Sequence, residues 1–267
     1  DKEININLLP EMKKLKWVYN IGVGVDRLPF ETFIKQGIRV TNAANLSNDA
    51  MSDYVIGAMM LFSCNFLDMI HCQENHYWKP YVYTKTLSNQ TVLIVGAGKI
   101  GTSVARKTKF LGMNVFGICN NKYEDSNYDY LGSINELKLL CRNADFVVSI
   151  LPLTPQTEGL FDSSVFLSMK RTSVFINISR GKLVNTNALI DSLNNGLIRG
   201  AVIDTFANEP LNKDDPLWDA TNIVITPHSA GRIEGFVDKA IIQFIDNYNL
   251  YISNGKLLNE IDLEKRY

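Results

Sequence analysis

Histidine is scarce in this chain of 267 residues: there are three, His71, His76 and His228. A metal centre built from several imidazoles is therefore a poor expectation, whereas one histidine acting as an acid or base is not. Cysteine is almost as sparse. Cys64, Cys72, Cys119 and Cys141 make no C-x-x-C pair and no disulfide spacing, which fits a reducing, cytoplasmic setting. No charge of one sign dominates, because 27 Lys and Arg face 28 Asp and Glu for a net charge of −1. That balance gives no reason to expect a nucleic-acid partner or a disordered acidic tail. No apolar run approaches the roughly 20 residues that span a bilayer. The opening segment, DKEININLLPEMKKLK, lacks the apolar core of a signal peptide, so no membrane partner is expected.

What is present is the profile of a folded protein, 46% hydrophobic and 21% charged, long enough for one large domain or two modest ones. The most regular stretch runs from about Gln90 to Pro227. Short apolar runs at Thr91–Val95, Asn114–Cys119, Asp145–Leu151, Ser173–Ile178, Gly200–Ile203 and Asn222–Thr226 read as buried strands. Helical patterns at Ile100–Leu111, Ile134–Cys141 and Thr186–Asn195 separate them. Strands of this kind alternating with helices predict an α/β fold, a doubly wound parallel sheet covered on both faces. The flanks differ. Trp17–Ile21 and Gly37–Thr41 read as strands, Asp49–Glu74 as one long helix, and Ile233–Ser253 as another. Residues 1–79 and 232–267 are therefore expected to form a smaller second lobe, with a dinucleotide-binding domain of residues 80–231 inserted in it.

Gly96-Ala97-Gly98-Lys99-Ile100-Gly101 fits G-x-G-x-x-G directly after a strand and at the opening of a helix. The first glycine permits the tight turn, the second lets backbone approach a pyrophosphate, and the third allows close helix–strand packing. The helix N-terminus supplies free N–H groups and the positive end of its dipole. At the end of the second strand an Asp or Glu would hold the ribose 2′-hydroxyl of NAD. Cys119, Asn120, Asn121 and Lys122 stand there instead. A carboxylate repels a 2′-phosphate, whereas amides and an ammonium accept one, so the expected cofactor is NAD(P) with NADP(H) favoured.

Three further strand ends carry polar residues: Arg180 after SVFINIS, Asp204 and Glu209 after GAVI, and His228 after NIVITP. Taken singly these read as a surface arginine, loop carboxylates and a capping histidine. At the C-terminal ends of strands in one open α/β sheet they converge where ligands bind. Such a set offers a carboxylate clamp, an orienting acid and a proton donor.

These residues lie in segments that resemble the D-isomer-specific 2-hydroxyacid dehydrogenases: GVGVD (22–26), VGAGKIG (95–101), PLTPQTEGL (152–160), INISRGKLVNTNALIDSL (176–193), VIDTFANEPL (202–211) and ITPHSAG (225–231). The resemblance covers the chain nearly end to end, in order. It implies a Rossmann-type domain inserted into a flavodoxin-like substrate lobe, a homodimer, and hydride transfer between a nicotinamide cofactor and a small 2-oxo or 2-hydroxy acid. Carried over residue by residue, His228 is the acid/base and Glu209 the partner that stabilises its imidazolium. Arg180 binds the substrate carboxylate and polarises the carbonyl. Val23 and Gly24 hold that carboxylate through backbone N–H groups, and Asp204 accepts from the nicotinamide carboxamide. Pro152, Thr157 and Ile178 line the cofactor pocket beside Gly96, Gly98, Lys99, Ile100 and Gly101.

Two departures from the family pattern accompany these matches. Cys119 replaces the ribose carboxylate, and family members usually carry roughly fifty more residues before the position of Leu8. The substrate lobe is therefore expected to lack its first part, as in a truncated or partial chain. Two rival readings are a non-catalytic protein that senses nicotinamide dinucleotide, and a dehydrogenase of a phosphorylated hydroxy acid.

Overall fold

The computed structural model describes residues 6–121 and 123–266. Its contacts divide the chain into two units, Asn48–Arg232, and Asp1–Ser47 with Ile233–Tyr267. In the smaller unit, β1 (Trp17–Asn20) runs parallel to β2 (Arg39–Asn42), with Trp17 opposite Arg39 and Asn20 opposite Asn42. The crossover between them contains helix α1 (Phe30–Gln36). Gly37, with φ 63°, ends that helix in the left-handed conformation that glycine adopts most cheaply. Leu9, Phe33, Ile38 and Val40 form the buried core.

The larger unit holds the sheet. Helices α2 (Asn48–Ser63) and α3 (Phe66–Glu74) precede β3 (Thr91–Val95), α4 (Lys99–Phe110), β4 (Asn114–Ile118) and β5 (Tyr130–Gly132). Then come α5 (Leu137–Cys141), β6 (Phe146–Ser149), α6 (Ser163–Phe166) and β7 (Val174–Asn177). Helix α7 (Thr186–Asn194), β8 (Gly200–Ile203) and β9 (Ile223–Ile225) complete it. Among the described residues the seven strands pair in the order β5-β4-β3-β6-β7-β8-β9, all parallel. The order reverses at β3, which makes a topological switch point between β3 and β6.

Alternation of side chains splits the buried strands between two cores. Val92, Ile94, Val148, Ile176 and Val202 face one way, into a core shared with Val55 and Met59 of α2 and Val104 of α4. Leu93, Val95, Val147, Phe175 and Ile203 face the other, against Leu140, Phe166 and Leu189 of α5, α6 and α7. Phe175 is fully buried, with ring centroids 4.8 Å from Phe161 and 5.3 Å from Phe166. A strand buried on both faces is apolar along its length save at its ends, which is why TVLIV and GAVI stand out in the sequence.

The final helix, α8 (Phe236–Ile252), returns the chain to the smaller unit. Trp17 of β1 stacks on its Phe244 at 5.3 Å and on its Tyr251 at 5.6 Å. Arg39 and Glu260 pair through two contacts of 2.6 and 2.8 Å.

Two expectations differ from what is observed. The first unit division falls between Ser47 and Asn48, not between residues 79 and 80. Helix α2 lends Val55, Ala58, Met59 and Phe62 to the sheet core, and Lys107 of α4 binds Asp53 at 2.6 Å. The segment read as one helix to Glu74 is two, bent by 65° at Asn65, whose φ is 53°. Arg199 explains the break, because its guanidinium donates to Phe62 O at 2.7 Å and to Asn65 Oδ1 at 2.5 Å. Among the described residues no single helix is long and apolar enough to cross a membrane.

Candidate active site

The glycine turn sits at the switch point. Gly96 has φ 113°, and a Cβ there would stand 2.6 Å from Ile150 O, so only glycine fits. A Cβ on Gly101 would fall on the Gly96 carbonyl oxygen, so this glycine lets α4 close on the turn. Gly98 differs, because a Cβ there would meet nothing within 4 Å. Nothing in the protein's own packing calls for glycine at 98, and the open space lies at the N-terminus of the 12-residue helix α4. That is the space a pyrophosphate needs, so the residues present fit a dinucleotide. Lys99 is exposed and Ile100 partly exposed at the same edge.

The turn is tied to its neighbours. The N–H groups of Gly96 and Ala97 donate to Ile118 O at 3.1 and 2.8 Å, and Tyr123 Oη donates to Ala97 O at 2.8 Å. Cys119 follows β4 directly and is partly exposed, and its N–H donates to Gly132 O at 3.1 Å. Asn120 and Asn121 come next, and Lys122 lies outside the described residues. In the loop after β6, Thr157 Oγ1 donates to Pro152 O at 2.8 Å and accepts from Thr154 N at 2.9 Å, which closes the turn. The side chain of Ile178 is only 2% exposed and belongs to the core, so what it offers a cofactor is backbone.

The strand ends β7, β8 and β9 bring Arg180, Glu209 and His228 together. His228 Nδ1 lies 2.8 Å from Glu209 Oε2, and the other Glu209 oxygen accepts from Phe206 N at 3.0 Å. Burial works to raise the Glu209 carboxyl. The His228 hydrogen bond, the Phe206 N–H and the charges of His228 and Arg180 outweigh it, and hold the group below the usual carboxylate range. An ionised carboxylate only accepts, so Nδ1 carries the proton and Nε2 is the nitrogen left for chemistry.

The loops that carry these side chains are locked by polar residues at the strand ends. Asn177, fully buried, donates to Arg180 O and Thr205 Oγ1, both at 3.2 Å, and accepts from Ser179 Oγ at 2.7 Å. Gly181 lets the Arg180 loop meet the Glu209 loop, because a Cβ there would overlap the Phe206 carbonyl carbon. Arg180 Nη1 donates to Ser179 O at 2.7 Å.

Asp204 is 1% exposed and is engaged within the fold. Its Oδ1 accepts from Thr226 Oγ1 at 2.6 Å, Ser229 N at 2.8 Å and, more distantly, Ser229 Oγ at 3.4 Å, and its Oδ2 accepts from Ala230 N at 3.0 Å. An oxygen of a carboxylate has two acceptor positions, so one on Oδ2 remains for a further donor. Asp204 thus holds the His228 loop whatever else it binds. Asn177, Thr205, Thr226 and Ser229 were not singled out from sequence. The available signal was position, since each is a polar residue at or just past the end of an apolar strand.

In the smaller unit, Asn20 Nδ2 donates to Gly22 O at 2.8 Å and Gly24 O at 2.9 Å, and Asn42 Nδ2 donates to Val23 O at 2.6 Å. Three successive carbonyls of the GVG segment are therefore fixed, and with them the peptide planes of Val23 and Gly24.

The family model for the "D-isomer specific 2-hydroxyacid dehydrogenase, NAD binding domain" matches residues 56–230. A glyoxylate reductase from Pyrococcus horikoshii is 31% identical over 250 residues, covering 89% of this chain and 73% of the relative. A D-3-phosphoglycerate dehydrogenase from Methanocaldococcus jannaschii is 30% identical over 237 residues, but the chain spans only 44% of its length. Among solved structures, the NADPH-dependent glyoxylate/hydroxypyruvate reductase of Sinorhizobium meliloti, in complex with NADP and sulfate, is 25% identical with a TM-score of 0.90. That match covers 100% of this chain and 85% of the solved one. The chain belongs to the D-isomer specific 2-hydroxyacid dehydrogenases. It has the Rossmann-like parallel sheet of that family and is an NAD(P)-dependent oxidoreductase.

Proposed function

We propose that this chain reduces a small 2-oxo acid to the D-2-hydroxy acid, with NADPH as the preferred donor. The observation that carries the reading is the meeting of Arg180, Glu209 and His228 at three adjacent strand ends, with an open glycine turn on the same sheet. Glyoxylate and hydroxypyruvate are the first substrates to consider, since the similar proteins are named for them.

When bound, the dinucleotide supplies the hydride. Arg180 pairs its planar guanidinium with the substrate carboxylate and draws electron density from the adjacent carbonyl. By the family resemblance, the N–H groups of Val23 and Gly24 are donors suited to a substrate carboxylate. His228 gives the Nε2 proton to the carbonyl oxygen as the alcohol forms and takes it back in the reverse direction. Glu209 holds the ring through Nδ1 and stabilises the charge that the ring carries before it donates. Asp204 keeps one acceptor position for the nicotinamide carboxamide. Cys119, Asn120, Asn121 and Lys122, in place of a carboxylate directly after β4, receive the 2′-phosphate. Pro152, Thr157 and the backbone of Ile178 border the cofactor.

The acting form in this reading is a homodimer. Tyr77, Trp78, Tyr81 and Tyr83 are 60, 89, 84 and 83% exposed in the single chain, an aromatic segment that a second copy would cover. The four free thiols support a cytoplasmic setting.

A spectrophotometric panel tests the reading: NADPH and NADH, each with glyoxylate, hydroxypyruvate, pyruvate and a phosphorylated 2-oxo acid. Turnover with small 2-oxo acids, faster with NADPH, is expected. Tight cofactor binding with no oxidation on any acid would favour a sensor, and turnover of the phosphorylated acid alone would move the substrate class.

A further inference from the structure

Helix α2 carries a side chain for which the reaction as described has no use. The Tyr54 hydroxyl lies 2.6 Å from Thr226 Oγ1, and Thr226 Oγ1 lies 2.6 Å from Asp204 Oδ1. A threonine hydroxyl has one proton, and a carboxylate only accepts. Thr226 therefore donates to Asp204, and Tyr54 is the donor to Thr226. The chain of bonds runs one way, from phenol to hydroxyl to carboxylate.

Asp204 then receives the loop. Its side-chain oxygens take the N–H groups of Ser229 and Ala230, and its main-chain carbonyl takes the N–H of His228 at 2.9 Å. His228 itself has φ 50°, a left-handed conformation that a non-glycine residue keeps only where the surroundings impose it. The residue given the acid/base role thus sits at the strained point of a loop held from both sides by Asp204. Tyr54 reaches this loop from a residue 172 positions earlier in the chain, anchored on α2 between Val55, Ala58 and Met59, all of them in the core.

We propose that Tyr54 is a positioning residue for His228, acting through Thr226 and Asp204. Its phenol orients the Thr226 hydroxyl, which keeps Asp204 turned towards the N–H groups of residues 229 and 230 and so holds the imidazole in its reactive place. The inference rests on His228 being the acid/base proposed above.

The test combines kinetics with NMR of the three histidine rings in the full chain. In Tyr54→Phe, kcat for 2-oxo acid reduction should fall roughly three- to tenfold, as the loss of one hydrogen bond predicts. KM for the acid should stay within about twofold, and Kd for NADPH should rise by clearly less than kcat falls, since Asp204 keeps its two backbone donors. The ring signals of His228 should shift while those of His71 and His76 do not. Thr226→Val should match this behaviour, Thr226→Ser should restore it, and adding Tyr54→Phe to Thr226→Val should cost nothing more, since the chain is already cut.

Wild-type kcat with unmoved His228 signals in Tyr54→Phe would overturn the proposal. So would a loss shared equally by NADPH affinity. If the wild type turned over no 2-oxo acid, the functional reading would fail separately, and the His228 signals alone would decide the positioning role. Should Tyr54→Phe not fold, the contrast of Thr226→Val with Thr226→Ser decides it.

Discussion

His228 Nδ1 lies 2.8 Å from Glu209 Oε2, and that contact determines which imidazole nitrogen is free to react. It also sets a pH dependence. Burial pulls the Glu209 carboxyl up, but the His228 hydrogen bond, the Phe206 N–H and the neighbouring positive charges hold it below its ordinary value. A carboxyl lowered in the folded state contributes stability that is complete above its unfolded value, and loses it as pH falls through the folded one. Glu209→Gln should therefore melt below the wild type at neutral pH, with the gap closing on acidification. Thermal unfolding across pH checks this, and a gap that stays constant into acid would contradict it.

Arg180→Lys keeps the charge and loses the planar fork. One charge-assisted hydrogen bond is the expected cost, so kcat/KM should fall roughly 10- to 100-fold while NADPH affinity holds. Steady-state kinetics beside a fluorescence titration of NADPH separates the two. Equal losses in both would place Arg180 at the cofactor instead of the substrate.

The glycines of the turn should behave differently from one another. Gly101→Ala pushes a methyl into the Gly96 carbonyl and should destabilise the chain by about 1–3 kcal/mol. Gly98→Ala meets nothing within 4 Å, so its stability should stay within about 0.5 kcal/mol of wild type while NADPH binding weakens. Denaturant unfolding and a binding titration on both variants give the comparison. Undiminished NADPH affinity in Gly98→Ala would remove the turn from the binding site.

These contrasts follow how far the sequence could be read. The runs TVLIV and GAVI stand out because a strand covered on both faces has polar residues only at its ends, and the glycine turn is fixed by local sterics. β5, Tyr130-Leu131-Gly132, has no run of apolar residues to mark it, unlike β9, which is just as short but reads Ile223-Val224-Ile225. The bend at Asn65 depends on Arg199, 134 positions away, and the hold on His228 depends on Tyr54, 172 positions away. Local patterns carry no trace of partners that only the fold brings together. Arg180, Glu209 and His228 stand out as candidates because each combines a place at or beyond a strand end with a charge or an ionisable ring, whereas Asn177, Thr205, Thr226 and Ser229 share the place but are neutral residues common in any turn.

Cys119 tests the cofactor preference. It follows β4 and is partly exposed, where a carboxylate would meet the ribose. Cys119→Asp should shift the ratio of NADPH to NADH efficiency towards NADH by roughly tenfold, through repulsion of the 2′-phosphate. An unchanged ratio would mean that other residues set the choice.

The most direct test of the central claim follows the hydride itself. NADPH deuterated at the transferring C4 position is incubated with hydroxypyruvate, and the product is analysed by NMR for wild type and His228→Ala. Deuterium at C2 of D-glycerate is predicted for the wild type. In His228→Ala turnover should fall by about 10²- to 10⁴-fold at unchanged NADPH affinity. Label absent from C2, or a His228→Ala variant that turns over at the wild-type rate, would contradict it.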